Sequence, residues 1–547
     1  MTLMLPRRRA HRVLVRRNEP VPMPDGVTLL ADRYVPVGAV RAPTILIRSP
    51  YGRAGFVGWM YGRTFARHGF HVVIQSCRGG FGSGGLLDPL ANEREDGLAT
   101  VAWMRSQSWY GGGFAMHGPS YLGYTQWAIA AETPDLKAMA TQVTASCFRE
   151  AAYVGGSFAL ESTLAWTTLT ASMDGRLGGA AATFLAPRRT RRAVLSGRPL
   201  SELDLLSAGR PLPFFRDLLA NHTDHSNHTD HADPASSYWS KRDFSASVGD
   251  VLAEVTMTGG WYDVFLPWQL KDYAAMRKAG RQPYLTIGPW YHAGLNMERA
   301  AGADALAWFR AHLLGDPSGL RASPVRVYVT GADEWRDHPD WPVPGTRAER
   351  WHLQPGSGLS TDNPSPSEPD RFRYDPQHPT PVLGGPILLG NSMPRDNRRV
   401  ESRRDVLVYT SPVLAADTEL IGEVSADLFV RTSTEHADIV VRVCDVHPDG
   451  RSMNVCEGVR RLTPADRSGE DGVRRVRVDL WPIGHRFRRG HRIRVQVAGG
   501  AYPRISRNTG TGDPLGPGSA MVCCDHEVLH DPAHPSAVVL PRVGPSA

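Results

Sequence analysis

The segment Gly118-Pro119-Ser120-Tyr121-Leu122-Gly123 constrains this chain more than any other, because it places a serine on a sharp turn between a predicted strand and a predicted helix. Upstream, Gly113 to His117 is a short, mostly apolar run bounded by glycines. Downstream, Thr125 to Ala131 contains good helix formers before Pro134. A strand that passes directly into a helix strains the residue at the junction and lifts its side chain above the sheet. The first helical N–H groups, which have no partner inside the helix, point the same way. The glycine spacing departs from the common G-x-S-x-G form, since Leu122 holds the fifth place and Gly123 follows it. On the motif alone an ordinary Gly/Ser turn is the competing reading, so other residues must decide.

With 547 residues the chain is too long for one core, and about three domains are expected. A hydrophobic content of 41% supports real cores. The net charge of +7 comes from arginines interleaved with acids, and the main basic cluster, Arg7 to Arg9 with Arg16 and Arg17, reads as a solvated terminus. No nucleic-acid partner is therefore expected. No apolar run reaches about 18 residues, and Arg16, Arg17, Asn18 and Glu19 interrupt the place where a secretory apolar region would sit. The expectation is a cytoplasmic protein with no membrane partner. Six cysteines without C-x-x-C spacing fit reduced thiols.

From Thr44 to about Ser146 short apolar runs alternate with helical stretches. Thr44 to Ile47, Phe70 to Ile74 and Ala138 to Val143 read as strands, and Met60 to Arg67 and Asn92 to Met104 as helices. That order predicts a parallel sheet covered by helices. Residues 147–240 turn alanine- and leucine-rich, with helices expected over Ala151 to Met173, Gly178 to Ala186 and Leu200 to Ala208. The α/β pattern resumes over 241–350, with strands at Glu254 to Thr258 and Tyr284 to Ile287 and a helix from about Trp268 to Lys278. After Trp351 a Pro/Ser/Gly-rich linker is expected around Gly356 to Glu368. Alternating runs such as Val424 to Val430 and Ile493 to Val497 follow. The reading is an α/β sheet domain (1–146 and 241–350), a helical cap (147–240), and an all-β jelly-roll sandwich (351–547).

Two later strands end in residues that complete a constellation with Ser120. One runs into Gly259-Gly260-Trp261-Tyr262-Asp263, and the next into Gly288-Pro289-Trp290-Tyr291-His292. Serine, then carboxylate, then histidine, each behind a successive strand, is the chain order of an α/β-hydrolase triad. The hydroxyl is a weak nucleophile at neutral pH, an imidazole can take its proton and return it to the leaving group, and Asp263 would fix the imidazole tautomer. Donors for a developing oxyanion are also needed. The N–H of Tyr121 is one candidate, and Tyr51, in Ser49-Pro50-Tyr51-Gly52 after the first strand, offers a phenolic hydroxyl.

These segments, together with Val327 to Trp335, Asp445-Val446-His447-Pro448-Asp449-Gly450 and Tyr502-Pro503-Arg504 with Asn508, resemble the cocaine esterase and X-Pro dipeptidyl-peptidase (CocE/NonD-type) superfamily of serine hydrolases over nearly the whole chain. In that family the elbow carries glycine three places after the serine. The resemblance implies Ser120 as nucleophile, Asp263 and His292 as its partners, Tyr51 and Tyr121 as the oxyanion hole, a helical cap and a C-terminal jelly roll. The ordered triad with its Tyr51 donor leads to the expectation of a serine hydrolase that cleaves a small ester or activated amide through an acyl-enzyme on Ser120, with no cofactor. One departure is local: Gln75-Ser76-Cys77-Arg78-Gly79 stands where the family usually has an acidic residue before the arginine.

Two signals are set aside. Gly79 to Gly85 lacks the lysine and spacing of a phosphate loop and is expected to be a flexible loop beside the site. Asn221-His222-Thr223-Asp224-His225 recurs as Asn227-His228-Thr229-Asp230-His231. It is read as a slipped duplication in a cap loop and not as a required metal site, although its side chains are zinc-ligand types. An X-Pro dipeptidyl aminopeptidase, or an amino-acid ester or glutaryl amide acylase, is the nearest alternative activity. A binding protein that uses the sandwich beside an inert hydrolase domain is the alternative of another class. The oligomeric state does not follow from the sequence.

Overall fold

One ten-stranded sheet organises the first two-thirds of the computed structural model, which describes residues 11–39, 42–173, 179–222, 237–389, 392–466, 468–516, 518 and 520–544. Its strands are β1 (Val13–Pro22), β2 (Thr28–Pro36), β3 (Thr44–Ser49), β4 (His71–Ser76), β5 (Phe114–Pro119) and β6 (Leu136–Gln142). A short pair in the cap, β7 (Tyr153–Val154) and β8 (Ser157–Phe158), comes next. The sheet then resumes with β9 (Glu254–Tyr262), β10 (Tyr284–Tyr291), β11 (Val325–Val329) and β12 (Glu334–His338). The order across the sheet is β1-β2-β4-β3-β5-β6-β9-β10-β11-β12. Pairing is parallel from β4 through β11 and antiparallel at both edges. Every residue of β3 and β4 is buried, as expected for strands covered by helices on both faces.

From β3 the chain steps to β4 on one side and then returns to β5 on the other. The strand order therefore reverses between β3 and β5, and the loops leaving their carboxyl ends part to leave a crevice. Tyr51 lies just beyond β3 and Ser120 just beyond β5, so they face each other across that crevice.

The cap contains the helices Leu160–Met173, Gly179–Val194, Leu203–Ala208 and Pro213–Ala220. The helix expected from Ala151 starts only at Leu160, because Gly155-Gly156, both at positive φ (55° and 83°), close the β7–β8 hairpin first. That turn lies on the sandwich: the N–H of Arg461 donates to the Gly155 carbonyl at 2.8 Å. Residues 223–231 of the duplicated segment lie outside the described residues.

The β-sandwich takes its first strand from Thr346–Gln354, paired with the chain's last strand, Ala537–Val543. The expected linker at Gly356 is a turn within this domain. Gln354 pairs with Gly358 in an antiparallel hairpin, so the Pro/Gly composition there serves chain reversal rather than domain spacing. Long strands follow at Thr418–Thr432, Ala437–Val446, Ser452–Leu462, Arg474–Phe487 and Arg492–Ala498. Thr330, directly after β11, joins the two domains. Its N–H donates to the Gly484 carbonyl, and its own carbonyl accepts from Arg486 N–H, both at 2.8 Å. No described helix is long and apolar enough to cross a membrane.

Candidate active site

Ser120 occupies the junction of β5 and the helix Tyr121–Ala130 with φ 54° and ψ −123°, a backbone that non-glycine residues adopt only when their surroundings hold it. Four bonds hold it, two from its own helix and two from the end of β6 and just beyond it. Its N–H donates to the Gln142 carbonyl at 2.8 Å, and its carbonyl accepts from the Gly123 and Tyr124 N–H groups at 2.9 and 3.0 Å and from the Thr144 hydroxyl at 2.7 Å. Thr144 also explains the irregular motif. A Cβ on residue 123 would lie 2.8 Å from Thr144 Cβ and overlap its methyl group, so the close-approach glycine falls three places after the serine.

Asp263 follows β9 and His292 follows β10, which are neighbours in the sheet. His292 Nδ1 and Asp263 Oδ2 are 2.6 Å apart, and Asp263 is fully buried. The other carboxylate oxygen accepts from Phe265 N–H at 2.8 Å, so both oxygens are used and the carboxylate is fixed. The sandwich contributes as well: Trp481 Nε1 donates to the Asp263 carbonyl at 2.9 Å. The strands approach this closely because Gly260 packs on Trp290, where a Cβ would lie 2.8 Å from its carbonyl carbon. Glu298, beside His292, accepts from the Tyr61 hydroxyl at 3.0 Å, and burial raises its carboxyl to about 7.

Across the crevice the Tyr51 hydroxyl lies beside Ser120 and accepts from Trp166 Nε1 at 2.9 Å. Burial pushes its pKa up to about 12, so it stays a protonated donor throughout the neutral range. The Tyr121 side chain is occupied elsewhere. It donates to Glu93 at 2.8 Å and accepts from Leu90 N–H at 2.8 Å, while Glu93 is paired with the fully buried Arg48 at 2.7 Å. Only its backbone N–H is on offer to a ligand at Ser120.

Cys77, at the position where the resemblance leads one to expect an acid near the arginine, turns its thiol toward Glu93 at 3.6 Å, and burial holds it protonated. Arg78 pairs with Asp96 and, at 2.7 Å, with Asp25. The glycine-rich loop that follows is anchored rather than free, because Ser83 Oγ donates to the Ser76 carbonyl at 2.9 Å and accepts from Leu30 N–H at 3.0 Å.

The pocket over Ser120 is built by all three parts of the chain. Phe148, Trp166, Phe214, Leu218 and Trp239 come from the cap, Val264 and Phe265 from the sheet domain, and Leu388, Val440, Val459 and Trp481 from the sandwich. Trp166 stacks on the Tyr121 ring, 6.0 Å between centroids and 8° between planes. Among the described lining residues the one carboxylate is Glu457. Arg442 pairs with it at 2.6 Å, and Arg504 pairs with it too. None of these wall residues stands out in the sequence, since each reaches the site through the packing of separate domains.

Comparison with known proteins places this geometry. The chain is 33% identical to "Cocaine esterase" of Rhodococcus sp. (strain MB1 Bresler), over 97% of this chain and 98% of that protein. The chain belongs to the cocaine esterase family. Within it, residues 25–294 match the X-Pro dipeptidyl-peptidase (S15 family) profile and residues 319–539 its C-terminal non-catalytic domain. A "Putative serine esterase" of Mycobacterium bovis is 24% identical, with 88% of this chain and 89% of that one covered. Two solved structures share the fold. An aminopeptidase from a marine sediment archaeon (Thaumarchaeota archaeon) has a TM-score of 0.81 at 21% identity, and an α-amino acid ester hydrolase has 0.78 at 22%, each covering 97% of both chains. The protein is accordingly a serine hydrolase with an α/β-hydrolase domain, a cap insertion and a C-terminal jelly-roll sandwich.

Proposed function

We propose that this serine hydrolase is an esterase that cleaves small esters with an apolar acyl group through an acyl-enzyme on Ser120. The observation that carries the reading is the wall of the pocket. It is aromatic and aliphatic, and its one described carboxylate is held by two guanidinium groups. A substrate ammonium, as on a dipeptide or an α-amino acid ester, would find no open counter-charge among these residues, and leaving a charge unpaired in an apolar pocket is costly. The name of the Rhodococcus relative points to an ester as well.

In this mechanism Ser120 Oγ attacks the ester carbonyl while His292 Nε2 takes its proton. Asp263 holds Nδ1–H at 2.6 Å and stabilises the imidazolium. The oxyanion receives the Tyr51 hydroxyl and the Tyr121 N–H. The imidazolium then returns the proton to the departing alcohol, and in the second half His292 activates a water that releases the acid and restores Ser120.

The test is one substrate panel run on wild type and Ser120→Ala: aryl and short-chain acyl esters, an α-amino acid ester, and Gly-Pro-anilide. Hydrolysis of the neutral esters that is lost in Ser120→Ala, with Gly-Pro-anilide turned over at least about a hundredfold less well, is expected. Preference for the ammonium-bearing substrates would overturn the acyl-group assignment. Full activity in Ser120→Ala would overturn the nucleophile.

A further inference from the structure

We propose that the sandwich carries a binding site for one divalent transition-metal ion, zinc in the first instance, formed by Asp445, His447 and His491 with His485 beside them. Asp445 is the penultimate residue of the strand Ala437–Val446, and His447 opens the turn that follows it. His485 lies near the end of the strand Arg474–Phe487, and His491 lies in the turn before Arg492–Ala498, which pairs with the Asp445 strand. Two adjacent turns and a neighbouring strand thus bring three imidazoles to one buried carboxylate.

The distances suit a small cation. Asp445 Oδ1 lies 2.8 Å from His491 Nδ1, and Oδ2 lies 3.2 Å from His485 Nε2 and 3.8 Å from His447 Nε2. The His447 and His491 rings are 4.5 Å apart, and the donor atoms of Asp445, His447 and His491 all fall within 4.8 Å of one another. Ligands held at about 2.0–2.2 Å in a tetrahedron are separated by roughly 3.4 Å, and the two separations from Asp445 to His491 and His447, 2.8 and 3.8 Å, bracket that value.

The neighbouring charges leave the role open to a metal. Arg451 is engaged by Asp449 at 2.7 Å, and Arg488 by the Gly331 carbonyl at 2.7 Å. Asp445 is therefore met by imidazoles rather than by a guanidinium, and a carboxylate with two imidazoles, His447 and His491, is a donor set that zinc takes with water or a further ligand completing it. Orientation is supplied from outside, since His485 faces Asp445 Oδ2 through Nε2 at 3.2 Å and is itself bonded through Nδ1 to Thr330 Oγ1 at 2.8 Å, the kind of support that fixes a ligating carboxylate. A surface cavity bounded by Tyr262, Thr330, His447 and His491 gives an ion its entry path. Thr330 is the residue that joins β11 to the sandwich strand, and it shares the cavity wall with Tyr262, which is next to Asp263 in the chain. An ion here would brace the seam behind the Asp263 loop without touching substrate.

The test uses the full-length protein with any purification tag removed and with His222, His225, His228 and His231 replaced by alanine, so that the duplicated segment cannot compete. After chelation and dialysis, the expected result is one equivalent of Co(II) bound with a visible d–d band of tetrahedral intensity, displaced by Zn(II), and a rise in the unfolding midpoint on zinc addition. His447→Gln and His491→Gln should each weaken zinc at least about a hundredfold. Thr330→Val, which leaves the ligands in place, should weaken it by about tenfold. His447 is partly exposed, so its variant tests binding in a folded protein even if changes at His491 perturb the sandwich. Absence of stoichiometric Co(II) binding, or binding undiminished in His447→Gln, would overturn the site.

Discussion

Thr144 donates its hydroxyl to the carbonyl of Ser120 at 2.7 Å while its Cβ and methyl group fill the space that a side chain at position 123 would need. One residue thus both clamps the strained serine and dictates the glycine beyond it. Gly123→Ala should lower stability by about 1–3 kcal/mol, the usual cost of overpacking a tight contact. It should also lower kcat, because relief of the clash moves Thr144 off the Ser120 carbonyl. Thr144→Ser, which keeps the hydroxyl and removes the methyl, should restore part of both in the double variant. Denaturant unfolding and ester kinetics on the four proteins measure this, and additive effects would show that the two positions are not coupled.

Tyr51→Phe removes a donor and little volume. If the hydroxyl meets the oxyanion, kcat should fall with KM almost unchanged, by a factor corresponding to about 2.7–4 kcal/mol, or roughly a hundred- to a thousandfold. Trp166→Phe removes the indole N–H that Tyr51 accepts but leaves an aromatic ring in the wall. Its effect should be smaller than that of Tyr51→Phe and should include KM. Equal losses in both variants would indicate that Tyr51 acts through the wall and not on the reacting oxygen.

Asp263→Asn should cut kcat by about ten-thousandfold through loss of the imidazole tautomer it holds. Fold should survive, because an asparagine carbonyl can still accept from Phe265 N–H as Asp263 does at 2.8 Å. A fluorophosphonate probe should label Ser120 rapidly in wild type and much more slowly in this variant. Rapid labelling of the variant would remove Asp263 from the proton-transfer unit. Failure of the wild type to label while folded would favour an inert hydrolase domain.

The elements that position the site were legible because each is local. A strand running into Gly118-Pro119-Ser120, and two strands ending in Asp263 and His292, follow from period and turn chemistry within about ten residues. The structure brings Asp263 and His292 to 2.6 Å because β9 and β10 are sheet neighbours, and chain order already implied that adjacency. The β7–β8 hairpin had a local signal too, the Gly155-Gly156 pair, but the alanine-rich context masked it. Trp166, Phe214, Leu388 and Trp481 were not legible, since a wall shared by three domains depends on how their surfaces meet and no short-range pattern encodes that. Asp445, His447, His485 and His491 illustrate the same limit. They lie up to 46 positions apart in sequence and converge only through strand pairing.

Asp272 gives the protein a built-in dependence of stability on pH. It lies buried on the helix Leu266–Lys278 and accepts from the Ser146 N–H at 2.8 Å and the Ser146 hydroxyl at 2.5 Å, at the point where the chain enters the cap. Burial raises its pKa from 3.8 to about 7, with Asp243 and Glu150 adding to the effect against the bonds from Ser146. Below the unfolded value both states are protonated, so there is no penalty. Between pH 4 and 7 the folded state holds a proton that the unfolded state has released, so stability is lost as pH rises through that window. The whole effect is at most about 4 kcal/mol, since a tenfold difference in proton affinity between the two states corresponds to about 1.4 kcal/mol. Asp272→Asn mimics the protonated group, and its unfolding free energy should fall less than wild type's between pH 5 and pH 8, by about 2–3 kcal/mol, since that window covers about two of the roughly three pH units between the unfolded and folded pKa. Urea unfolding of both proteins at the two pH values isolates the difference from all other titrating groups, and parallel profiles would show that the Asp272 carboxyl is ionised throughout.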